Sequence, residues 1–126
     1  MNSNCCKAQW ARKMGRQAED AVLSAFLAKG YIFVTRNYLV HHKGELDLIF
    51  RKKMCLYMVE VKSRHERNAY GGSMASITGL KVLRMHRAAR IFIMDAAWQK
   101  YDVCFVAGLV THGSDGVIRK IEFYRI

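Results

Sequence analysis

At 126 residues the chain has room for one hydrophobic core and too little for two. Apolar residues make up 52% and charged residues 25%, and no apolar run approaches the roughly 20 residues that a membrane-spanning helix needs, which excludes a helical membrane class. A net charge of +11 on so small a domain points to a polyanionic partner, nucleic acid first, against the plainer reading of charge kept for solubility.

Cys5, Cys6, Cys55 and Cys104 show no CxxC spacing and no matching histidine pair, so they are read as reduced thiols of a cytoplasmic protein rather than zinc ligands. Residues 1–6 form a polar start, and the first fifteen carry cations without the apolar stretch of a secretory signal. From Lys7 to Lys29 apolar residues recur at helical steps through Ala18, Val22, Ala25 and Phe26, with Gly30 as the residue after the cap. Glu19 stands three, four and seven residues before Val22, Leu23 and Phe26, on or beside the buried stripe. Two readings stay open for it: a member of a site, or a surface acid steadying a helix turn.

Tyr31–Thr35 reads as a strand continued by Tyr38–Val40, and His41-His42-Lys43-Gly44 as a turn. Adjacent histidines face opposite ways on a strand, so the pair is read as solvated or as a phosphate contact, not as a metal site. Gly44–Arg64 then reads as a β-hairpin with charges inside its apolar runs: Asp47 between Leu46 and Leu48, Glu60 between Val59 and Val61, and Lys62 two places on. A two-residue turn at Lys53-Met54 pairs Lys52 with Cys55 and sets Asp47 directly opposite Glu60. A four-residue loop keeps both acids on one face, and a three-residue loop would part them. Glu45 falls at the edge of the same cluster.

A polar loop, His65–Ser73, holds Gly71-Gly72. Thr78 is placed to cap a helix from Gly79 to about Trp98, with Leu80, Leu83, Ala88, Ile91 and Phe92 as its buried side. Lys81, Arg84, Arg87 and Arg90 recur every third residue as a basic stripe without the acids of a salt-bridged surface, which favours phosphate contact over a merely solvated face. Strands at Tyr101–Val110 and Val117–Ile126 flank a turn at Gly113–Gly116. The order of helix, three strands, helix and two strands predicts an α/β sandwich around a mixed sheet.

Two carboxylates and a lysine on neighbouring strands suit a hard divalent cation such as Mg²⁺ or Mn²⁺, with the lysine orienting water or meeting phosphate. A structural ion pair of Lys62 with Glu60 or Asp47 is the competing reading. The ordered set Gly15-x-x-x-Glu19, Gly30-Tyr31, Arg36-Asn37-Tyr38, Gly44-Glu45-Leu46-Asp47-Leu48-Ile49, Val59-Glu60-Val61-Lys62-Ser63-Arg64, Tyr70-Gly71, Lys81 and Tyr101-Asp102-Val103 resembles the bacterial YraN family. That resemblance implies a restriction-endonuclease-like fold, a mixed sheet of about five strands flanked by helices; the expected organisation is a single domain over residues 1–126, with residues 1–12 as a flexible start. The resemblance also implies kinship with archaeal Holliday-junction resolvases.

By the same resemblance Asp47 and Glu60 are the metal ligands, Lys62 the catalytic lysine and Glu19 an additional acid. Lys81, Arg84, Arg87, Arg90 and Arg64 are expected to contact nucleic acid. The expected activity is Mg²⁺-dependent endonucleolytic cleavage of DNA, with branched or recombination-intermediate DNA as one substrate class. The alternative is a DNA-binding or recombination-accessory module without efficient cleavage. Kinship with junction resolvases further implies a homodimer, since two symmetric cuts need two sites.

Overall fold

A computed structural model of the chain describes residues 3–68 and 77–126. Tyr70 and Gly71-Gly72 lie outside the described residues. Helix α1 runs from Ser3 to Ala28, β1 from Ile32 to Val40, β2 from Gly44 to Lys52 and β3 from Cys55 to His65. Helix α2 spans Gly79–Phe92, β4 Asp102–His112 and β5 Ile118–Arg125. The strands form one sheet in chain order, antiparallel except where β3 and β4 lie parallel. That parallel pair needs a crossover, which α2 provides. The fold is therefore α/β, a five-stranded mixed sheet with a helix on either face, consistent with a restriction-endonuclease-like fold. Among the described residues no helix is long and apolar enough to cross a membrane.

α1 begins at Ser3, before the expected Lys7, and so takes in most of the stretch expected to be a flexible start. Cys6–Lys13 are exposed, and the buried stripe opens at Met14 and continues through Ala18, Val22 and Phe26. Gly30 ends the helix as the sequence leads one to expect. Its φ of 87° lets its own N–H reach the Leu27 carbonyl and the Tyr31 N–H reach that of Phe26, both at 3.1 Å. The edge-on contact of Tyr31 with Phe26 completes a Schellman cap.

The core has two layers. On one side Ala18, Val22 and Phe26 pack on Leu48, Phe50, Val59, Val106 and Val110. On the other, Met85, Ala88 and Ala89 pack on Leu46, Ile49, Leu56 and Met58. Helix α2 differs from expectation in two ways. It ends at Phe92, and Ala96–Trp98 form a separate 3₁₀ turn. Its buried face is Met85, Ala88 and Ala89, while Leu80 and Leu83, expected inside, are 55% and 47% exposed. The Thr78 side chain does cap it, accepting the Lys81 N–H at 3.1 Å. Gly44 lets α2 dock closely, because a Cβ there would sit 2.4 Å from the Arg84 carbonyl oxygen.

Candidate active site

The hairpin register is the one a two-residue turn dictates. Lys52 pairs with Cys55, and the pairing runs regularly to Leu48 opposite Val59. Lys53 takes the positive φ, 55°, that so tight a turn demands. The next pair would be Asp47 with Glu60, and there the ladder stops. Instead of backbone pairing, the Asp47 carboxylate Oδ2 accepts the Val61 N–H at 2.8 Å.

Side-chain alternation slips at the same place. Leu48 and Phe50 enter the α1 layer, yet Leu46 joins Ile49 in the α2 layer instead of sharing the face of Leu48. On the other flank β1 shifts register between Phe33 and Thr35, and Asn37 adopts φ 53°. Irregularities of this kind re-aim side chains at sheet margins. Here they turn Asp47 into the gap where β2 and β3 part.

Glu60 follows Val59 on the opposite, α2 face of β3 and is 5% exposed. Its Oε1 meets the Lys81 ammonium at 3.1 Å, and its Oε2 is buried without a hydrogen-bond partner. Burial first, then the nearby charge of Asp47, pushes the Glu60 carboxyl up to about 8, against the pull of Lys81. Burial alone would lower the Lys81 ammonium, but Glu60, with Asp47 and Glu45 behind it, holds it above its ordinary value.

Glu19 is half-buried on α1. Arg36 of β1 donates to Glu19 Oε1 at 3.2 Å and to Asp20 Oδ1 at 3.1 Å, so one guanidinium ties α1 to the kinked strand. Burial raises the Glu19 carboxyl, with Asp47 and Glu45 adding to the rise and Arg36 opposing it. Glu19 and Glu45 thus belong to the electrostatic neighbourhood of Asp47.

Lys62 shares the face of Glu60 but is exposed and forms no ion pair with the described residues. The structural ion pair considered for it is made by Lys81 instead. Arg64 is also drawn into the protein, its Nη2 3.5 Å from Glu122 Oε1 and its Nε 3.4 Å from Thr111 Oγ1. Arg84, Arg87 and Arg90 are exposed and have no ion pair among the described residues. The expected four-cation stripe therefore splits, three arginines facing outward and Lys81 facing the acids. His41 and His42 are exposed with rings 3.8 Å apart.

Sequence reasoning missed Arg36 as the partner of Glu19 and Lys81 as the partner of Glu60. Lys81 was within reach: it lies four residues before Met85 and eight before Ala89, at the head of the stripe that α2 buries.

The donor set fits a hard cation. Asp47 and Glu60 offer oxygens only, and Glu60 Oε2 is a buried polar atom that lacks a partner. Among the described residues no group of three histidines, cysteines or acids gathers to hold a metal. Two carboxylates, with the remaining positions left to water and phosphate oxygens, are what Mg²⁺ commonly accepts.

Comparison with known proteins bears on the same segment. The profile of an uncharacterised protein family, UPF0102, matches residues 18–106, a span that runs from within α1 into β4 and includes Glu19, Asp47, Glu60, Lys62 and Lys81. A UPF0102 protein of Desulfosudis oleivorans is 37% identical over 101 residues, covering 77% of this chain and 80% of that protein. One from Methylibium petroleiphilum is 35% identical over 106 residues, covering 77% and 86%. A third, from Pseudomonas paraeruginosa, is 35% identical over 91 residues and covers 71% of each. With the whole hairpin and both of its carboxylates inside the matched span, the chain belongs to the UPF0102 family, the YraN family that its motifs resemble.

Proposed function

We propose that the protein is a cytoplasmic, metal-dependent endonuclease that hydrolyses DNA phosphodiester bonds, branched or recombination-intermediate DNA being the substrate class that its kinship implies. One observation carries this reading above the others: the hairpin opens at Asp47, beside a buried Glu60 whose second oxygen is unsatisfied. Asp47 and Glu60 would hold Mg²⁺ or Mn²⁺, which supplies Lewis-acid stabilisation of phosphate charge and acidifies bound water. Lys62, without an ion pair among the described residues and on the Glu60 face, orients the attacking water or meets a phosphate oxygen. Glu19, clamped by Arg36, holds negative charge on the α1 side of Asp47 and can accept a proton from that water. Arg84, Arg87 and Arg90, exposed and without an ion pair among the described residues, present cations to the backbone of the substrate. Two symmetric cuts at a junction would call for a homodimer.

A second reading is favoured by the Lys81–Glu60 pair, which already neutralises one proposed ligand. In that reading the protein binds DNA, as a recombination accessory, and cuts it poorly. Metal-dependent cleavage separates the two. Duplex, single-stranded and four-way-junction DNA are offered with Mg²⁺ or Mn²⁺ to the wild type, Asp47→Ala and Lys62→Ala. Cutting by the wild type, lost in both variants while binding persists, supports the enzyme. A wild type that binds all three substrates and cuts none leaves the binding module, and the same assay on RNA tests the other nucleic acid.

A further inference from the structure

The Lys81–Glu60 pair is unusual in being half-built. Glu60 is almost wholly buried, yet among the described residues only Oε1 has a partner, and that partner is the tip of a long, flexible side chain that is 38% exposed. A purely structural pair at such depth would have both carboxylate oxygens hydrogen-bonded, because an unsatisfied buried acceptor is costly. The ammonium also has somewhere else to go. A cleft of about 440 Å³ opens beside it, lined among others by His42, Lys43, Glu45, Lys81 and Arg84. Three of those side chains are firmly cationic and one is acidic, so a phosphodiester would be drawn there.

We propose that Lys81 is an exchangeable counterion. It covers Glu60 while no divalent cation is bound, and on displacement by the cation it swings into the adjoining cleft, where with Lys43 and Arg84 it grips a backbone phosphate. This rests on the metal-dependent reading above and adds a route by which cation and nucleic acid bind cooperatively. A cation on Glu60 frees a phosphate-binding group, and a phosphate that captures the group frees Glu60. Such coupling is necessarily reciprocal. The role is distinct from that of Lys62, which has no carboxylate partner among the described residues to leave.

The test uses the wild-type protein without nucleic acid. Amine acylation read by mass spectrometry follows Lys81, with the exposed Lys13 on α1 as reference, before and after addition of Mg²⁺. Lys81 should become several-fold more reactive relative to Lys13, and the response should vanish in Asp47→Ala. A titration of Mn²⁺ into Lys81→Met gives the second readout. With its competitor removed, the cation should bind more tightly by about fivefold or more, the low end of ordinary coupling between sites. Lys81→Arg should stay close to wild type.

Unchanged Lys81 reactivity in a protein that demonstrably binds Mn²⁺ overturns the exchange while leaving the metal site standing. Weaker Mn²⁺ binding by Lys81→Met overturns it too, because it would show a lysine needed to shape the site. Failure of the wild type to bind any divalent cation removes the metal-dependent reading and the exchange together.

Discussion

The two ends of the β2–β3 hairpin differ in kind. From the Lys53 turn to Leu48 and Val59, backbone pairing is regular and the side chains alternate into two apolar layers. One pair further on the ladder ends, alternation slips, and a carboxylate replaces a backbone acceptor. The closed end is held by burial, and at the open end polar contacts join the burial of Leu46. What the contrast teaches is that regular pairing sets the register, and that register delivers Asp47 and Glu60 to one place. The break in pairing then gives them the space in which chemistry can occur.

If burial governs the closed half, the largest effect of any single change should fall there. Phe50 is fully buried, stacked on Phe26 with ring centroids 4.5 Å apart and an interplanar angle of 11°. Phe50→Ala should cost about 3–5 kcal/mol, the usual loss for a buried phenylalanine, seen as a lower urea midpoint with an unchanged slope. A loss under about 1 kcal/mol, the range of ordinary volume-conserving swaps, would mean that α1 does not hold the sheet as described.

At the open half a smaller cost should divide by chemistry. Asp47→Ala strips the Val61 N–H of its acceptor and should destabilise by about 1–3 kcal/mol, the desolvation penalty of an unpaired donor. Asp47→Asn keeps a side-chain oxygen for that donor and should stay near wild-type stability, while losing the anionic charge that a cation needs. Equal stability of the two variants would show that the 2.8 Å contact does not secure the strand gap.

Legibility in the sequence followed the same division. The Gly30 cap, the Thr78 cap and the mixed sheet were readable, because each depends on local cap chemistry or on element order, whereas Lys52 opposite Cys55 was one of the registers left open. Asp47 and Glu60 were readable as neighbours because register is a matter of counting. The slip in alternation was not. Leu46 looks equivalent to Leu48 in the chain, and only the kink through Asn37 and the docking of α2 on Gly44 send it to the other layer. The pairing of Lys81 with Glu60 was missed for another reason. A cation every third residue drew attention to the outward face, whereas Met85 and Ala89 mark the inward one on which Lys81 also lies. The contact of Arg64 with Glu122 was hidden because Glu122 lies far along the chain on β5.

The smallest effect should come from the turn itself, and it tests whether the two ends are independent. Lys53 pays for a left-handed backbone at φ 55°, a cost of about 1–2 kcal/mol for a residue with a Cβ. Lys53→Gly removes that cost but adds about 0.5–1 kcal/mol of lost chain freedom on folding. The two nearly cancel, so the variant should be more stable by about 0.5 kcal/mol, given the sizes of the two terms. Its pairing of Lys52 with Cys55 should be unchanged, as amide exchange along β2 and β3 would report, and Mn²⁺ affinity should match wild type. A change in metal affinity without a change in register would mean that strain at the turn is transmitted along the strands to Asp47. The open end would then be a product of the whole hairpin and not of the local break beside Asn37.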